Sequence, residues 1–386
     1  MNAITFFLIL FGGKILFVDI SLIVVSILLI IKRKLVFTLS SFEKKVLFIL
    51  VFLSAYALLI SIIYGGIEIY WPLKFIKASF LWVLLSVLIK NSEIDSLKLN
   101  NLVIWAAFIH SAIILMTILI PSFRDAVYSI TGYQHRSVLG LRSPGITISF
   151  NSTAIVHVIG LYLIIYKEHR FKGIGKLLVF LCIFSSLFFL GRTMSFLGLG
   201  ILFLSGVIKR KKTIIMLGAF LLVFIPTTFE FIIDDKNIDN YSPTVAILLK
   251  NYQKFVSPFI LRESDVNILT YQEETLGSHY YFSDSPLTLI FGNSRSGHTG
   301  ITDFDRRGET DSDLGFINSV NANGAIVTLL LYLFYFYVFK QSRHNEVVLV
   351  ICALTCMLTF KETGFFTSHA TPLLFAYLFV LRKKLI

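Results

Sequence analysis

Three carboxylates stand close together in the last quarter of the chain. Glu309, Asp311 and Asp313 lie in the stretch GETDSDLGFIN, directly before a long apolar segment. An acid in front of a helix can cap its first turn, which stabilises the helix by roughly 0.3–2 kcal/mol. An acid buried near a membrane surface can instead act as a general base, because burial raises its pKa. Both interpretations fit the spacing.

Three basic residues occupy the ends or the interior of apolar segments. Arg192 interrupts a long apolar stretch in LFFLGRTMSFLGLG, where a guanidinium costs several kcal/mol unless it reaches water or a partner. Arg142 directly precedes another apolar segment, and Lys361 ends a third in LTFKETGFF. Each side chain either extends to the membrane interface or provides a fixed cation that faces a pocket.

The sequence lacks the motifs that are typical of several kinds of site. No histidine pair has the spacing of a zinc site, and the calcium-binding loop of an EF-hand is absent. Neither a GxSxG turn nor a Walker motif is present, so no nucleotide site is predicted. We therefore predict neither a metal nor a cofactor. The three cysteines all fall in apolar runs, where packing is their ordinary role.

The composition indicates an integral membrane protein. Of 386 residues 56% are hydrophobic and 15% are charged, whereas soluble domains carry roughly 25% charged residues. Runs of about 20 apolar residues can cross a bilayer as helices. The runs predict an all-α polytopic protein with about twelve membrane spans. They lie near 3–12, 15–31, 45–64, 72–89, 100–120, 147–166, 177–190, 194–208, 213–233, 316–339, 347–361 and 370–381.

The distribution of basic residues predicts the orientation of these spans. The short loops on one side are rich in lysine, which places that side and both termini in the cytoplasm. The net charge of +12 is thus mainly a signal of topology, and no nucleic-acid partner is expected. The prediction divides the chain into spans over 1–233, a large extracytoplasmic loop over 234–315, and further spans over 316–386. A second, shorter outer loop covers 121–146.

The outer face is rich in arginine, against the topological bias. Arginine binds phosphate and carboxylate through a planar, bidentate fork. The pattern predicts an anionic ligand on this face, and pairing with the many outer acids is the alternative. The outer arginines are Arg124, Arg136, Arg142, Arg192, Arg262, Arg295, Arg306 and Arg307.

Five stretches of the chain together resemble a known family. In order along the chain they are RSPGITISFNSTA (142–154), GRTMSFLGLGILFL (191–204), IFGNSRSG (290–297), SDLGFINSVNANGAIVTLLLYLF (312–334) and FKETGFF (360–366). Their order and the position of the large loop are similar to those of the O-antigen polymerase (Wzy) family and the related O-antigen ligases.

This resemblance implies a helical scaffold like the GT-C-like polymerases and ligases, in the cytoplasmic (inner) membrane of a bacterium, with an active site facing the periplasm or exterior. It implies transfer of glycans from undecaprenyl-diphosphate-linked donors to a second lipid-linked repeat unit as acceptor, to make O-antigen or capsule-type polysaccharide. A chain-length regulator and a flippase are the protein partners it implies.

The resemblance also suggests roles for particular residues. The diphosphate would be held by fixed cations, for which Arg142, Arg192, Lys361 and Arg295 are the candidates. Candidates for the group that activates the acceptor hydroxyl are Asp311, Asp313, His298 and Glu309. Two other functions remain as alternatives: an O-antigen ligase with a different acceptor, and a transporter of lipid-linked oligosaccharides. Ligases of this kind carry a histidine before the late span, where this chain has Asp313-Leu314-Gly315.

Overall fold

The chain is almost entirely helical in the part that the structure describes. This computed structural model describes residues 1–12, 14–15, 18–32, 38–63, 70–131, 143, 145–147, 150–190, 192–210, 285–293, 315–342, 345–361 and 369–383. A short antiparallel hairpin of β1 (Lys14–Ile15) and β2 (Val18–Asp19) is the sheet structure in these ranges. In chain order the helices are α1 (Ala3–Phe11), α2 (Ile20–Ile31), α3 (Ser41–Ile63), α4 (Tyr70–Lys90), α5 (Ser96–Leu119), α6 (Pro121–Thr131), α7 (Phe150–Tyr166), α8 (Gly173–Ser186), a 3-10 turn (Leu187–Phe189), α9 (Arg192–Ile208), α10 (Pro286–Phe291), α11 (Gly315–Gln341), α12 (Glu346–Lys361) and α13 (Ala370–Lys383).

The chain forms two compact units, and each is built from two separate stretches. Unit 1 comprises Met1–Val24 with Ile94–Ser264, and unit 2 comprises Val25–Glu93 with Asp265–Ile386. Helix α2 therefore begins in unit 1 and ends in unit 2. The two units are described separately below.

Helices α5 and α7 form the centre of unit 1. Helix α5 packs against α1, α6, α7 and α8, and α7 also packs against α9. Small residues allow these close approaches: a Cβ on Gly160 would lie 2.9 Å from the Cβ of Ala107, and a Cβ on Gly198 would lie 2.3 Å from Val158. Helices in a membrane associate mainly through such packing, because lipid offers little hydrophobic driving force.

In unit 2, each helix packs on the next in the order α3, α4, α13, α12, α11 and α10. The ring of Trp82 on α4 is fully buried and meets the rings of Phe375 and Phe379 at centroid distances of 4.6 and 4.5 Å. These aromatic contacts account for the tight seam between α4 and α13.

A buried acid fixes the start of α3. Ser40 and Glu43 form a capping box, in which the Ser40 amide donates to Glu43 Oε2 (2.6 Å) and the Glu43 amide donates to Ser40 Oγ (3.3 Å). The same carboxylate forms an ion pair with Lys90 and accepts a hydrogen bond from Ser86 Oγ (3.0 Å). Glu43 is wholly buried, so these partners offset the loss of its hydration.

The helices fit a protein of the membrane. By length and composition, four in the described ranges can cross a bilayer, and several shorter apolar helices accompany them. The four are Ser41–Ile63, Trp71–Lys90, Ser96–Leu119 and Phe316–Gln341. The architecture is thus that of an all-α membrane protein, as predicted. The count of about twelve spans and the division at 233 and 315 stay predictions, and the predicted span 213–233 lies outside the described residues.

The structure adds detail to three of the predicted segments, and in the first of them the predicted start is wrong. The span predicted over 15–31 starts as a helix only at Ile20, because the hairpin precedes it and Asp19 Oδ1 accepts the Leu22 amide at 3.3 Å. Part of the loop predicted over 121–146 is helix α6. The apolar segment predicted as one helix over 316–339 is broken at Gly324, which has non-helical backbone angles.

Candidate functional site

Eight residues are site candidates from the sequence, and the structure describes the backbone of two of them. Arg192 is the first residue of α9 and Lys361 is the last residue of α12, while their side chains lie outside the described part. The other six lie outside the described residues: Arg142, Arg295, His298, Glu309, Asp311 and Asp313. The roles of all eight stay predictions. The structure does describe polar residues close to them along the chain.

In unit 2, the end of α10 crosses the break in α11. The Asn293 amide donates a hydrogen bond to the Asn321 carbonyl at 3.0 Å. A Cβ on Gly292 would lie 2.4 Å from the Ala322 carbonyl oxygen, and one on Gly324 would lie 2.2 Å from the Ile290 carbonyl oxygen. The two backbones therefore touch directly, with no side chain between them.

Both glycines adopt a backbone conformation that other residues avoid. Gly292 has φ 80° and ψ 170°, and Gly324 has φ 80° and ψ 160°. This region of backbone space is essentially restricted to glycine. The angles and the close approach each require glycine at both positions. The crossing of α10 and α11 therefore depends on glycine at both positions.

The first segment of α11, before the break, buries an unusual set of amides. Asn318, Asn321 and Asn323 are all buried, although this segment belongs to an apolar membrane helix. Asn323 is 3% exposed, and its Nδ2 has no hydrogen-bond partner among the described residues. A buried donor left unsatisfied costs about 1–3 kcal/mol.

Ser319 and Thr328 lie on either side of the break in α11. Their hydroxyl oxygens are 3.1 Å apart and share a hydrogen bond, and both side chains are buried. This bond ties the two segments of α11 together across Gly324. Broken helices inside a membrane are tolerated where they are buried in protein or line a cavity.

Unit 1 contains a second buried polar cluster, formed by two histidines and two serines. His110 Nδ1 lies 3.0 Å from His157 Nε2, and His157 Nδ1 lies 2.7 Å from Ser186 Oγ. Ser111 Oγ completes the cluster, 3.0 Å from Ser186 Oγ. The Phe11 ring stacks on His110 at a centroid distance of 4.2 Å. Both imidazoles are fully buried, so the cluster supports the joint of α5, α7 and α8 and gives no access to a substrate.

The residue that follows Arg142 is held firmly in unit 1. The Ser143 amide donates to the Phe189 carbonyl at 3.1 Å, and the Ser143 hydroxyl shares hydrogen bonds with Thr117 and Tyr128. Burial raises the pKa of Tyr128 on α6, although the hydrogen bond with Ser143 acts in the opposite direction. Phe189 stands three positions before Arg192, so the chain segments that carry two predicted cations meet through one backbone hydrogen bond.

These contacts were only partly foreseeable. The sequence identified Arg142 and Arg192 as candidates, but it gave no reason to pair His110 with His157, since they lie on different spans. The asparagines of NSVNANG (318–324) did carry a signal, because amides are expensive in a membrane helix. Within the described residues, no group of three or more histidine, cysteine, aspartate or glutamate side chains could hold a metal ion.

Comparison with known proteins gives no relative for this chain. No protein-family model, no curated protein and no solved structure matches it. The resemblance to O-antigen polymerases therefore rests on the five quoted stretches of sequence alone.

Proposed function

We propose that this protein polymerises undecaprenyl-diphosphate-linked oligosaccharide repeat units at the outer face of a bacterial cytoplasmic membrane. In each step the bond between the donor's anomeric carbon and its phosphate oxygen breaks. A new glycosidic bond forms from that carbon to a hydroxyl of the acceptor unit. The hydroxyl proton passes to a carboxylate or imidazole of the protein, and undecaprenyl diphosphate leaves.

The observation that carries this proposal is the crossing at Gly292 and Gly324. It joins two of the stretches that resemble the polymerases, 290–297 and 312–334, which are separate along the chain. Residues 294–314 run from the crossing on α10 to the start of α11 and contain Arg295, His298, Glu309, Asp311 and Asp313. The described residues at the two ends of this segment, Asn293 and Gly315, belong to unit 2.

The residues divide between two chemical tasks in this proposal. Arg142, Arg192, Arg295 and Lys361 neutralise the diphosphate, whose leaving oxygen gains negative charge in the transition state. One of the acids, or His298, removes the hydroxyl proton. The leaving diphosphate drives the reaction, so no nucleotide is needed. The proposal also includes a GT-C-like scaffold of about twelve spans with both termini in the cytoplasm. A flippase and a chain-length regulator are its proposed protein partners.

The test is polymerisation by the purified full chain in proteoliposomes, with lipid-linked repeat units as donor and acceptor. We expect a ladder of products without nucleotide. Asp311→Asn or Asp313→Asn should lower the rate at least about 100-fold if that residue is the base. Glu93→Gln, an exposed acid in the α4–α5 turn, is the matched control and should leave the ladder unchanged. Transfer only to a lipid core or a protein, without joining of repeat units to each other, would indicate a ligase.

The break in α11 favours a second candidate, a transporter of lipid-linked oligosaccharides. Many transporters bind their substrates at discontinuous membrane helices, and Gly324 interrupts α11 beside buried asparagines. A transporter would move the labelled lipid-linked unit across the vesicle membrane without forming a new glycosidic bond. The same proteoliposomes distinguish these outcomes, because products of different length separate on a gel.

A further inference from the structure

Unit 1 contains an open cavity at the end of α5 that lies opposite to Ser143. Its volume is about 380 Å³, and residues of α5 and of the α7–α8 connection line it. It lies near Lys98 at the start of α5, whereas Ser143 contacts Thr117 near the end of that helix. At 1.5 Å per residue these two points are about 28 Å apart along α5. The cavity and Ser143 are therefore at opposite ends of a membrane-crossing helix.

One stripe of α5 forms the first wall of the cavity. Lys98, Leu102 and Trp105 follow each other at intervals of four and three residues, so they share one face of the helix. The stripe changes from a cation at the helix end to apolar and aromatic side chains deeper along α5. Trp105 is 41% exposed, whereas Trp71 and Trp82 are buried. An exposed tryptophan on a membrane helix is suited to contact with lipid.

The α7–α8 connection forms the second wall of the cavity. Two hydrogen bonds and one contact between aromatic rings join it to α5. The Arg170 amide donates to Asn101 Oδ1 at 2.8 Å, and Asn100 Nδ2 donates to the Glu168 carbonyl at 3.1 Å. The ring of Phe171 lies 5.2 Å from that of Trp105. These contacts place Arg170 and Phe171 on the cavity wall. The cavity thus has a second cation and a second aromatic ring opposite the first pair.

The charges and the surroundings favour one class of occupant. Lys98 and Arg170 both line the cavity and are exposed, and the residues that line it include no acid. Ile174 and Leu178 on the adjoining α8 are 77% and 60% exposed, which suits a surface bathed in lipid. Cations beside anionic lipid contribute about 1 kcal/mol each, or about fivefold in affinity.

We propose that this cavity binds an anionic phospholipid of the cytoplasmic leaflet. Its phosphate lies between Lys98 and Arg170, and an acyl chain follows Leu102 to Trp105 and Phe171. The occupant is a resident membrane lipid. The assignment does not depend on the polymerase proposal, because it concerns the opposite end of α5 and a ligand that takes no part in glycosyl transfer.

The experiment measures quenching of tryptophan fluorescence by brominated lipids in neutral detergent micelles with the purified full chain. Brominated phosphatidylglycerol should reach half-quenching at about a 25-fold lower mole fraction than brominated phosphatidylcholine with the same acyl chains. Trp105→Phe should remove most of the quenching, since the other two tryptophans are buried.

Matched variants then test the two cations. Lys98→Gln with Arg170→Gln should abolish the preference for phosphatidylglycerol, whereas Lys44→Gln with Lys45→Gln, two exposed lysines at the start of α3, should retain it. If the first double variant does not fold, the single variants Lys98→Gln and Arg170→Gln should each lose part of the preference.

Two results overturn the proposal. One is equal quenching of the unaltered protein by both lipids, or a preference that survives loss of both cations. The other is relief of the quenching by millimolar inorganic phosphate but not by chloride at the same ionic strength. That second result would identify a site for free phosphate.

Discussion

At the scale of single residues, buried polar side chains in this protein differ in how their hydrogen bonds are satisfied. His157 Nδ1 and Ser186 Oγ share a hydrogen bond of 2.7 Å in the buried cluster of unit 1. Asn323 has an amide donor without a partner in the described part of the chain. A buried hydrogen bond stabilises the fold, while an unsatisfied buried donor lowers its stability. Replacement of the two kinds of residue should therefore have opposite effects.

Asn323→Leu should reduce polymer formation at least about tenfold while leaving thermal stability unchanged or slightly higher. Its Nδ2 has no hydrogen-bond partner among the described residues, and leucine is close in volume, so the substitution removes an unsatisfied polar group from the buried face. Product ladders and thermal unfolding in detergent, measured on the same preparation, check the two effects. Full activity in the variant would remove Asn323 from the candidate site.

Asn100→Leu is the contrasting variant for this test. Asn100 is also buried on a membrane helix, but its Nδ2 donates to the Glu168 carbonyl. We expect a loss of thermal stability of about 1–3 kcal/mol, because the carbonyl is left without this donor. The activity of the protein that stays folded should be normal. Equal behaviour of both asparagine variants would argue against a special role for Asn323.

At the scale of elements, the crossing of α10 and α11 is the feature most sensitive to substitution. Gly324→Ala and Gly292→Ala should each prevent stable folding of unit 2, because the new methyl group would lie 2.2 or 2.4 Å from a backbone oxygen. The unfavourable φ adds roughly 1–3 kcal/mol to this clash. Gly200→Ala, at a helical position with open space around it, should be neutral or stabilising by up to about 1 kcal/mol. Yield of monodisperse protein and thermal unfolding are the measurements.

The ion pair at the start of α3 supports a second prediction on elements. Lys90→Met should destabilise the protein by about 3 kcal/mol, because it leaves the Glu43 carboxylate buried with fewer partners. The double variant Glu43→Gln with Lys90→Met should be more stable than Lys90→Met alone, since no uncompensated charge remains. Thermal unfolding of the three proteins forms the comparison. An unchanged melting temperature for Lys90→Met would show that the pair contributes little.

The sequence predicted the helices far better than it predicted their interruptions. Long apolar runs must form helices in a membrane, because each backbone group needs a partner there, and every predicted span in the described ranges contains a helix. The sequence alone did not show whether a glycine continues a helix or breaks it. Gly160 and Gly198 continue their helices, whereas Gly324 breaks α11. The difference arises from the contact with Ile290, and no local pattern reveals such a contact between distant segments.

At the scale of the whole molecule, topology is the prediction that bears most on function. In a background where the three free cysteines are replaced, Asp125→Cys on α6 should react with a membrane-impermeant maleimide in intact cells. The Asp125 side chain is 72% exposed, so access is not limited by burial. Lys45→Cys, at the start of α3, should react only after the cells are lysed. The reverse pattern would invert the orientation and place the acids of 309–313 in the cytoplasm.

The backbone contact between α10 and α11 also has an evolutionary consequence. Side chains that pack against each other can change together over time, but a contact between bare backbones has no compensating substitution. Gly292 and Gly324 should therefore be retained as a pair in every protein that shares this fold, even where the rest of the sequence has diverged. A glycine before an asparagine at the end of α10, matched to an asparagine before a glycine at the break in α11, is thus the pattern by which distant relatives can be recognised.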